Sequence, residues 1–289
     1  MTVAAPTFEA PYVRADFAPL LGVIVVPPTR AIEMVTPTHG EANAIADRAA
    51  EQFGILVGRL AAAGVKVVRM EPDPATPLSW ACADCAVLFE DGAFLMRPSD
   101  VRRRAEVALL EDVLERANVP VVGRIEAPGL LDGGDVLLAR ETVYIARSKP
   151  RQAEIGIPAG LHGNALGRAQ LADYARSKQL AAVEVAIAGE APRLRSVASL
   201  VDTGTLLFAP GLVDPSAFSG LATIEVPRGE DFGAGVLALG NRRVIANVRF
   251  RETIPLLRKA KFAVDAIDLW EFGKIGVTPA SLALAIKRG

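Results

Sequence analysis

The chain has 289 residues, of which 51% are hydrophobic and 22% are charged, and its formal net charge is -1. This composition is typical of a protein with a large folded core, and the near-neutral charge predicts no general affinity for nucleic acid or for an anionic membrane. No run of about 18 uncharged apolar residues is present, so we expect no membrane span. The N-terminus lacks the apolar segment of a secretory signal, and two cysteines cannot form a disulfide framework, so we expect a cytoplasmic protein.

The first predicted unit is a strand over 20–27, a helix over 41–63 that ends at Gly64, and a strand over 65–70. Four later segments each contain an apolar run, a short polar turn and a second apolar run, which is the pattern of a β-hairpin. These hairpins cover residues 85–97, 135–147, 199–211 and 236–248, with Asp91-Gly92 and Gly240-Asn241 as the turn residues of the first and last.

Helical periodicity follows three of the hairpins, and a short strand follows each helix. The predicted helices are 100–117, 164–179 and 251–262, and the strands after them are 119–125, 181–187 and 263–269. The hairpin at 199–211 is followed only by one helical turn at 214–218 and a strand at 222–227. The last apolar run, 280–286, is expected to pair beside 20–27 and close a ring.

Five units of hairpin, helix and strand predict a pseudo-symmetric five-bladed α/β propeller, because one unit cannot bury its apolar face alone. An open α/β sheet in two domains is the alternative, but antiparallel hairpins fit a doubly wound parallel sheet poorly. No linker rich in Pro, Gly or Ser divides the chain. We therefore expect residues 1–19 to form an N-terminal extension and residues 20–289 to form a single domain.

The scarcity of histidine limits the chemistry that this chain can perform. Its two histidines, His39 and His162, are expected near helix starts in capping or surface roles, so no metal site and no cofactor are predicted. The motif Cys82-Ala83-Asp84-Cys85 has the Cys-x-x-Cys spacing, but it enters a predicted strand and lacks a second cysteine pair. We therefore favour a structural role over a redox or metal role, with Cys82 on the same side as Asp84.

The segment Asp132-Gly133-Gly134-Asp135 places two glycines between two acids, directly before an apolar run. It is not a phosphate-binding loop, because no Gly-x-x-x-x-Gly-Lys pattern surrounds it. A tight turn before a strand is one interpretation of this segment. A functional Asp132 aimed into a pocket is the other.

Four segments in this order resemble the pentein, or amidinotransferase, superfamily, and most of all the dimethylarginine dimethylaminohydrolases, with arginine deiminases more distant. They read DCAVLFEDGAFLMRPSDVRRRAE, LDGGDVLLARETVYIARSK, RLRSVASLVDTGTLL and DLWEFGKIGVTPASLAL, and the resemblance covers roughly residues 20 to 286. It implies a five-bladed α/β propeller with a central active site. It also implies chemistry in which a cysteine attacks a guanidinium carbon, a histidine is acid and base, and an acid orients the histidine.

Matched position by position, the resemblance places Asp132 at the orienting acid and Asp84 at an aspartate that binds the guanidinium. The usual glutamate beside Asp84 is Ala83 here. Arg103 falls on an arginine of the substrate side, and a second family arginine falls near Pro150. These matches make Asp84 and Arg103 the candidate ligand-binding residues.

The same match replaces both reacting groups of the family. Arg193 stands at the histidine position and Pro279 at the position of the nucleophilic cysteine. An arginine stays charged and is a poor base, and a proline side chain has no nucleophile. We therefore expect Arg193 and Asp132 to face each other as an ion pair in the central cavity.

Three hypotheses follow for the function. The first is a degenerate active site that binds a small guanidino or carboxylate ligand without the cysteine-dependent hydrolysis. The second is an active guanidino-group hydrolase or amidinotransferase with altered catalytic residues, in which Cys82 is a possible nucleophile. The third is a structural or oligomeric partner, including a homo-oligomer.

Overall fold

The computed structural model describes residues 6–38, 41–76, 78–148, 163–189 and 191–289. Within these residues, fifteen strands form five three-stranded sheets, which are the blades of a propeller. In every blade the middle strand pairs antiparallel with one neighbour and parallel with the other. The five-bladed α/β propeller predicted from the sequence is confirmed.

The strands are numbered in chain order. They are β1 (Leu20–Val25), β2 (Lys66–Arg69), β3 (Ala86–Leu88), β4 (Ala93–Leu95), β5 (Val121–Arg124), β6 (Val136–Leu138), β7 (Thr142–Ser148), β8 (Ala181–Ile187), β9 (Ala198–Asp202), β10 (Thr205–Phe208), β11 (Ala222–Glu225), β12 (Leu237–Gly240), β13 (Arg243–Asn247), β14 (Ala263–Ile267) and β15 (Ala283–Arg288). Blade 1 is β15-β1-β2, and blades 2 to 5 are β3-β4-β5, β6-β7-β8, β9-β10-β11 and β12-β13-β14.

Helices connect the middle strand of a blade to its outer strand, because two parallel strands need a crossover connection. The α-helices are α1 (Ala46–Ala62), α2 (Arg104–Arg116), α3 (Ala165–Ser177), α4 (Leu194–Val197), α5 (Thr253–Lys259), α6 (Trp270–Gly273) and α7 (Pro279–Leu282). In blade 4 the connection contains only a 3-10 turn at Pro215–Ala217, and this agrees with the single helical turn predicted at 214–218.

Burial distinguishes the inner strands from the outer ones. Strands β3, β6 and β12 are buried along their whole length, whereas β2, β5 and β11 are mostly half-buried or exposed. The buried strands therefore surround the axis, and the exposed ones form the rim. The ring closes by antiparallel pairing of β1 with β15, in which Val23 lies opposite Ala285.

A short helical turn precedes every inner strand within the described residues. These turns are Cys82–Asp84, Gly133–Asp135, α4, Asp231–Ala234 and α7. The expectation that Cys82–Cys85 enters a strand is wrong, because the chain forms a 3-10 turn there and β3 begins at Ala86. Likewise β15 begins after α7 rather than at residue 280, since Pro279 favours the first position of a helix. The five turns gather at one end of the axis.

Two element boundaries also differ from the sequence prediction. Helix α1 begins at Ala46 rather than at residue 41. At this start, Glu271 accepts a hydrogen bond from the Ile45 N–H and Glu33 accepts one from the Ala46 N–H. Its predicted end is confirmed, because Gly64 follows with a φ of 80°. In blade 5 the residues with left-handed backbone after Gly240 are Asn241 and Arg242, so the turn lies one residue later than predicted.

The described part of the N-terminal segment, residues 6–19, covers the other end of the axis. The Asp16 N–H donates to the Leu138 carbonyl at the end of β6, and the Gly289 N–H donates to the Pro19 carbonyl. Phe8 and Tyr12 are buried. The segment thus contributes to the core, while the division into residues 1–19 and 20–289 stays a prediction. No helix in the described ranges is long and apolar enough to cross a membrane.

Candidate active site

A cavity of about 300 Å³ lies at the end of the axis where the helical turns gather. Charged side chains line its inner part, hydroxyl groups lie beside them, and apolar side chains form most of the remaining wall. The lining includes Asp84, Asp100, Arg103, Arg193, Ser196, Ser281, Val35, Leu78, Ile275 and Val277. A polar inner part within an apolar wall is the usual form of a small-molecule site.

Asp132 and Arg193 form the ion pair that the sequence predicted. Asp132 is fully buried, and its Oδ1 accepts a hydrogen bond from Arg193 Nη2 at 3.0 Å. Its Oδ2 accepts a second hydrogen bond from the Ser99 N–H at 3.1 Å. Burial raises the pKa of Asp132, and the positive charge of Arg193 opposes this rise. Arg193 Nη1 donates to the Pro192 carbonyl, which fixes the orientation of the guanidinium plane.

Asp84 lies on the other side of the same guanidinium. Its Oδ2 lies 3.5 Å from Arg193 Nε and also accepts a hydrogen bond from Arg103 Nη1. Burial alone would raise the pKa of Asp84, but the charges of Arg193 and Arg103 outweigh it, and the pKa is lowered. Arg193 therefore bridges the two carboxylates that the sequence placed in the site.

The two glycines of the segment Asp132-Gly133-Gly134-Asp135 are required by its close approach to blade 2. A Cβ at Gly134 would lie 2.2 Å from Asp84 Oδ1, and a Cβ at Gly133 would lie 2.3 Å from the Ala83 carbonyl oxygen. The Gly134 N–H donates to Asp84 Oδ1 at 3.1 Å. The segment is thus a tight turn that contacts Asp84 of the candidate site. Asp132 itself is fully buried and is not among the residues that line the cavity, so its functional role stays a prediction.

Arg103 is held by acidic groups on two sides. It lies in a 3-10 turn at the start of α2, and its Nη2 donates to Glu106 Oε2 at 2.7 Å and to the Ala81 carbonyl at 2.9 Å. Burial raises the pKa of Glu106 despite the nearby charge of Arg103. These contacts give Arg103 a role in positioning Asp84, and its part in ligand binding stays a prediction.

Pro279 is buried and begins α7. The residues on either side of it along the chain, Val277 and Ser281, line the cavity, so the segment passes along the site. A proline ring offers no nucleophilic group at position 279.

Cys82 lies away from the cavity wall. Its thiol donates to the Ile24 carbonyl in β1 at 3.3 Å, and burial raises its pKa to about 12. Cys85 donates to Glu106 Oε2 at 3.5 Å, and burial raises its pKa as well. Both thiols are therefore protonated at neutral pH, and neither has the thiolate character that a nucleophile needs.

Three positions singled out from the sequence, His39, Pro150 and His162, lie outside the described residues.

Two further residues contact the site but were not predicted to do so. Glu106 forms an ion pair with Arg103, three residues earlier. Residues three apart are neighbours on a helix, so this contact could have been predicted from the sequence. Ser99 binds Asp132 through its backbone, and no side-chain pattern indicates such a contact.

The five blades and the Asp132 and Asp84 turns around a central cavity define a protein of the pentein, or amidinotransferase, class. No protein-family model matches the chain. The chain is 31% identical over 229 residues to the N(G),N(G)-dimethylarginine dimethylaminohydrolase of Streptomyces coelicolor, covering 78% of this chain and 81% of that protein. It is 26% identical over 237 residues to the Pseudomonas aeruginosa protein of the same name, covering 81% and 88%. The chain therefore belongs to the dimethylarginine dimethylaminohydrolase family.

Solved structures agree on the fold. A Pseudomonas aeruginosa dimethylarginine dimethylaminohydrolase, determined as a mutant with citrulline, matches with a TM-score of 0.82 at 24% identity and covers 92% of this chain and 99% of that chain. An amidinotransferase of the saxitoxin biosynthetic pathway from Microseira wollei matches with a TM-score of 0.75 at 16% identity, covering 96% and 97%. At these identities the likeness shows the shared fold.

Proposed function

We propose that this protein is a member of the family with a degenerate active site, which binds a small ligand in the central cavity without hydrolysing a guanidino group. One observation carries this proposal: the Arg193 guanidinium lies between Asp132 and Asp84. The family resemblance assigns these acids to orienting a histidine and to binding a substrate guanidinium. Here a guanidinium of the chain itself binds both.

The chemistry of the two replaced positions supports the absence of hydrolysis. Burial alone would lower the pKa of Arg193, but the charges of Asp132 and Asp84 raise it further above its usual range. Arg193 therefore stays charged and cannot accept a proton from a nucleophile or from water. Pro279 has no group that could attack a guanidinium carbon.

The arrangement of charges favours a carboxylate ligand over a guanidino ligand. A guanidino ligand would have to compete with Arg193 for Asp84 and Asp132, both of which already accept hydrogen bonds from arginine. About 15% of the Arg193 side chain remains exposed, and it lines the cavity as a donor for an acid group. Apolar residues such as Ile275 and Val277 would contact the rest of the ligand.

Three probes of similar length separate the two ligand classes. Pentanoate carries only the carboxylate, agmatine carries a guanidinium and an amine but no carboxylate, and 5-guanidinopentanoate carries both the carboxylate and a guanidinium. Isothermal titration calorimetry should detect binding of pentanoate and 5-guanidinopentanoate but not of agmatine. Binding of agmatine without binding of pentanoate would instead support the guanidino class. If none of the three binds, the ligand-binding proposal is wrong for both classes.

A cavity-filling variant places the ligand in the central cavity. Val277→Phe adds volume to the cavity wall, so pentanoate binding should be lost while the melting transition stays cooperative. Val248→Phe is the matched control, because Val248 is 40% exposed and is not part of this wall. Equal binding by the two variants would place the ligand elsewhere.

The second hypothesis, an enzyme with altered residues, is tested by product formation. The protein should release no citrulline from N(G),N(G)-dimethylarginine under conditions in which the Streptomyces coelicolor N(G),N(G)-dimethylarginine dimethylaminohydrolase turns over that compound, and none from arginine. Citrulline formation that is lost in Cys82→Ser would support the altered enzyme. We do not expect this outcome, because burial raises the pKa of the Cys82 thiol to about 12 and a protonated thiol is a poor nucleophile.

We further propose that the protein functions in the cytoplasm and binds neither nucleic acid nor an anionic membrane. The free thiols of Cys82 and Cys85 and the net charge of -1 support this proposal. A homo-oligomer, the third hypothesis, is tested by light scattering of the purified protein. A salt-dependent shift on a DNA or anionic-vesicle column would contradict the predicted absence of these partners.

A further inference from the structure

A second, smaller cavity of about 30 Å³ lies on the axis between the helical turns of the candidate site and the N-terminal segment. Ala83 and Ala280 line it from the turns, and Val13 and Asp16 line it from the segment. Arg195 and Arg288 supply its positive charges. We name this space the axial cavity.

Arg195 forms an ion pair with a carboxylate of the N-terminal segment. Its Nη2 donates to both oxygens of Asp16, at 2.9 Å and 3.1 Å. Asp16 Oδ2 also accepts a hydrogen bond from the Leu138 N–H at 2.8 Å. The carboxylate of Asp16 therefore balances the charge of Arg195.

Arg288 is the second cation and is only 5% exposed. Its Nη1 donates to the carbonyls of Ala18 at 2.6 Å and Ala238 at 3.0 Å, which are neutral acceptors. Within the described ranges, no group accepts a hydrogen bond from its Nε. Asp16 is the only acid among the described residues that line the axial cavity, and it is already paired.

A buried guanidinium with an unsatisfied N–H and without a counter-charge is energetically costly. Burial lowers the pKa of Arg288 to about 10, against the attraction of Asp16 and together with the repulsion of Arg195. An anion between Arg288 and Arg195 would lower the free-energy cost of burying the Arg288 guanidinium. A cavity of this size has room for one small ion or one or two water molecules, and it excludes a phosphate or an amino acid.

We propose that the axial cavity is a binding site for a monoatomic anion, chloride under ordinary conditions, held between Arg288 and Arg195. Together with the single carboxylate of Asp16, the ion neutralises the positive charges of the two arginines. The axial cavity and the candidate active site share their dividing wall. Asp84, Arg193 and Ser281 face the larger cavity, and their near neighbours Ala83, Arg195 and Ala280 face the axial one. The anion would therefore also stabilise the turns that position the candidate site.

Bromide diffraction tests the site in the unmodified protein. Crystals grown with sodium gluconate in place of chloride are soaked in 100 mM sodium bromide, and anomalous data are collected at the bromine edge. We expect an anomalous peak between the guanidinium groups of Arg195 and Arg288. A water molecule gives no such signal, so density there without an anomalous peak would overturn the proposal.

Halide-dependent melting tests the same site in solution. At constant ionic strength, replacement of gluconate by chloride should raise the melting temperature saturably, by about 3 °C at tenfold excess over the dissociation constant. Arg288→Met should lose this response, whereas Arg249→Met, which changes an exposed arginine, should keep it. An equal response of Arg288→Met and the unmodified protein would refute the site. If Arg288→Met does not fold, the bromide experiment decides.

Discussion

Blades 2 and 3 each have an aspartate at the same position of the repeat, the last residue of the turn before the inner strand. Asp84 and Asp135 each end the 3-10 turn before the inner strand of their blade. The Oδ1 of each accepts a backbone hydrogen bond from the turn of the next blade, from Gly134 N and from Leu194 N, both at 3.1 Å. The carboxylate at this position therefore links neighbouring blades as part of the repeat.

Asp84 in addition forms ion pairs with Arg103 and Arg193 and lines the cavity. The candidate site thus uses a position that the scaffold already occupies with an acid. An aspartate that matches a family site residue therefore also has a structural role in the scaffold. Matched variants in the two blades separate the contribution of Asp84 to blade pairing from its contribution to the charges of the site.

The largest expected effect is the loss of charge at Asp84. Asp84→Asn keeps an oxygen for the Gly134 N–H but leaves Arg103 and Arg193 with one negative charge fewer. Loss of one partner from a buried ion pair costs about 3–5 kcal/mol, so the free energy of unfolding in urea should fall by that amount.

Asp135→Asn is the matched change in blade 3. Its amide oxygen can still accept from the Leu194 N–H, but the charge that Asp135 contributes near Arg193 is lost, so we expect a loss of about 1–3 kcal/mol, smaller than that of Asp84→Asn. Equal losses for the two variants would show that blade linkage, rather than the arginine charges, determines the role of Asp84.

The next effect concerns the space between the same two blades. Gly134→Ala would place a Cβ against Asp84 Oδ1 and within 3.0 Å of Arg193 Cγ. Overpacking of this kind costs about 1–3 kcal/mol, and it should also displace Arg193 from Asp132. Gly204→Ala is the control, because a Cβ there meets nothing within 4 Å. We expect the control to stay within about 0.5 kcal/mol of the unmodified protein in urea unfolding.

A smaller effect is the opposite pH dependence of Asp84 and Asp132. The pKa of Asp84 is lowered, so its contribution to stability is present above the ordinary carboxyl pKa and is lost as the pH falls through the lowered one. The pKa of Asp132 is raised by burial, so its contribution is present below the ordinary pKa and is lost as the pH rises through the raised one.

The cost of Asp84→Asn should therefore shrink as the pH is lowered from neutral, whereas the cost of Asp132→Asn should grow. Urea unfolding of both variants and of the unmodified protein across this range gives the two slopes. Slopes of the same sign would mean that the charge of Arg193 outweighs the burial of Asp132.

The sequence predicted the propeller because its repeat is local: hairpins, crossover helices and outer strands all have short-range patterns. The start of each inner strand was harder to predict, since turns such as Cys82–Asp84 and α7 are only three or four residues long and read as part of the apolar run. The pair of Asp132 and Arg193 came from the family resemblance. The contact of Asp16 with Arg195 joins residues 179 positions apart, and no local pattern in the sequence indicates it.

The smallest expected effect is a partial return of the chemistry that the family resemblance implies. Pro279→Cys places a thiol at the family nucleophile position, between the cavity-lining residues Val277 and Ser281, and the charge of Arg193 in the wall of the same cavity should lower its pKa. We expect fast alkylation by iodoacetamide but no citrulline from N(G),N(G)-dimethylarginine. Turnover also needs a group that protonates the leaving amine and then activates water, and an arginine that stays charged does neither.

The double variant Pro279→Cys with Arg193→His supplies that group and keeps a partner for Asp132. It should be the minimum change that gives detectable citrulline, at a rate far below that of the Streptomyces coelicolor relative, because Ala83 leaves a family contact to the substrate missing. Arg193→His alone is the control and should form none. The alkylation rate and the citrulline yield of each variant separate the presence of a thiolate from turnover. Steady turnover by Pro279→Cys alone would show that the base is another residue and that Arg193 does not stand at its position.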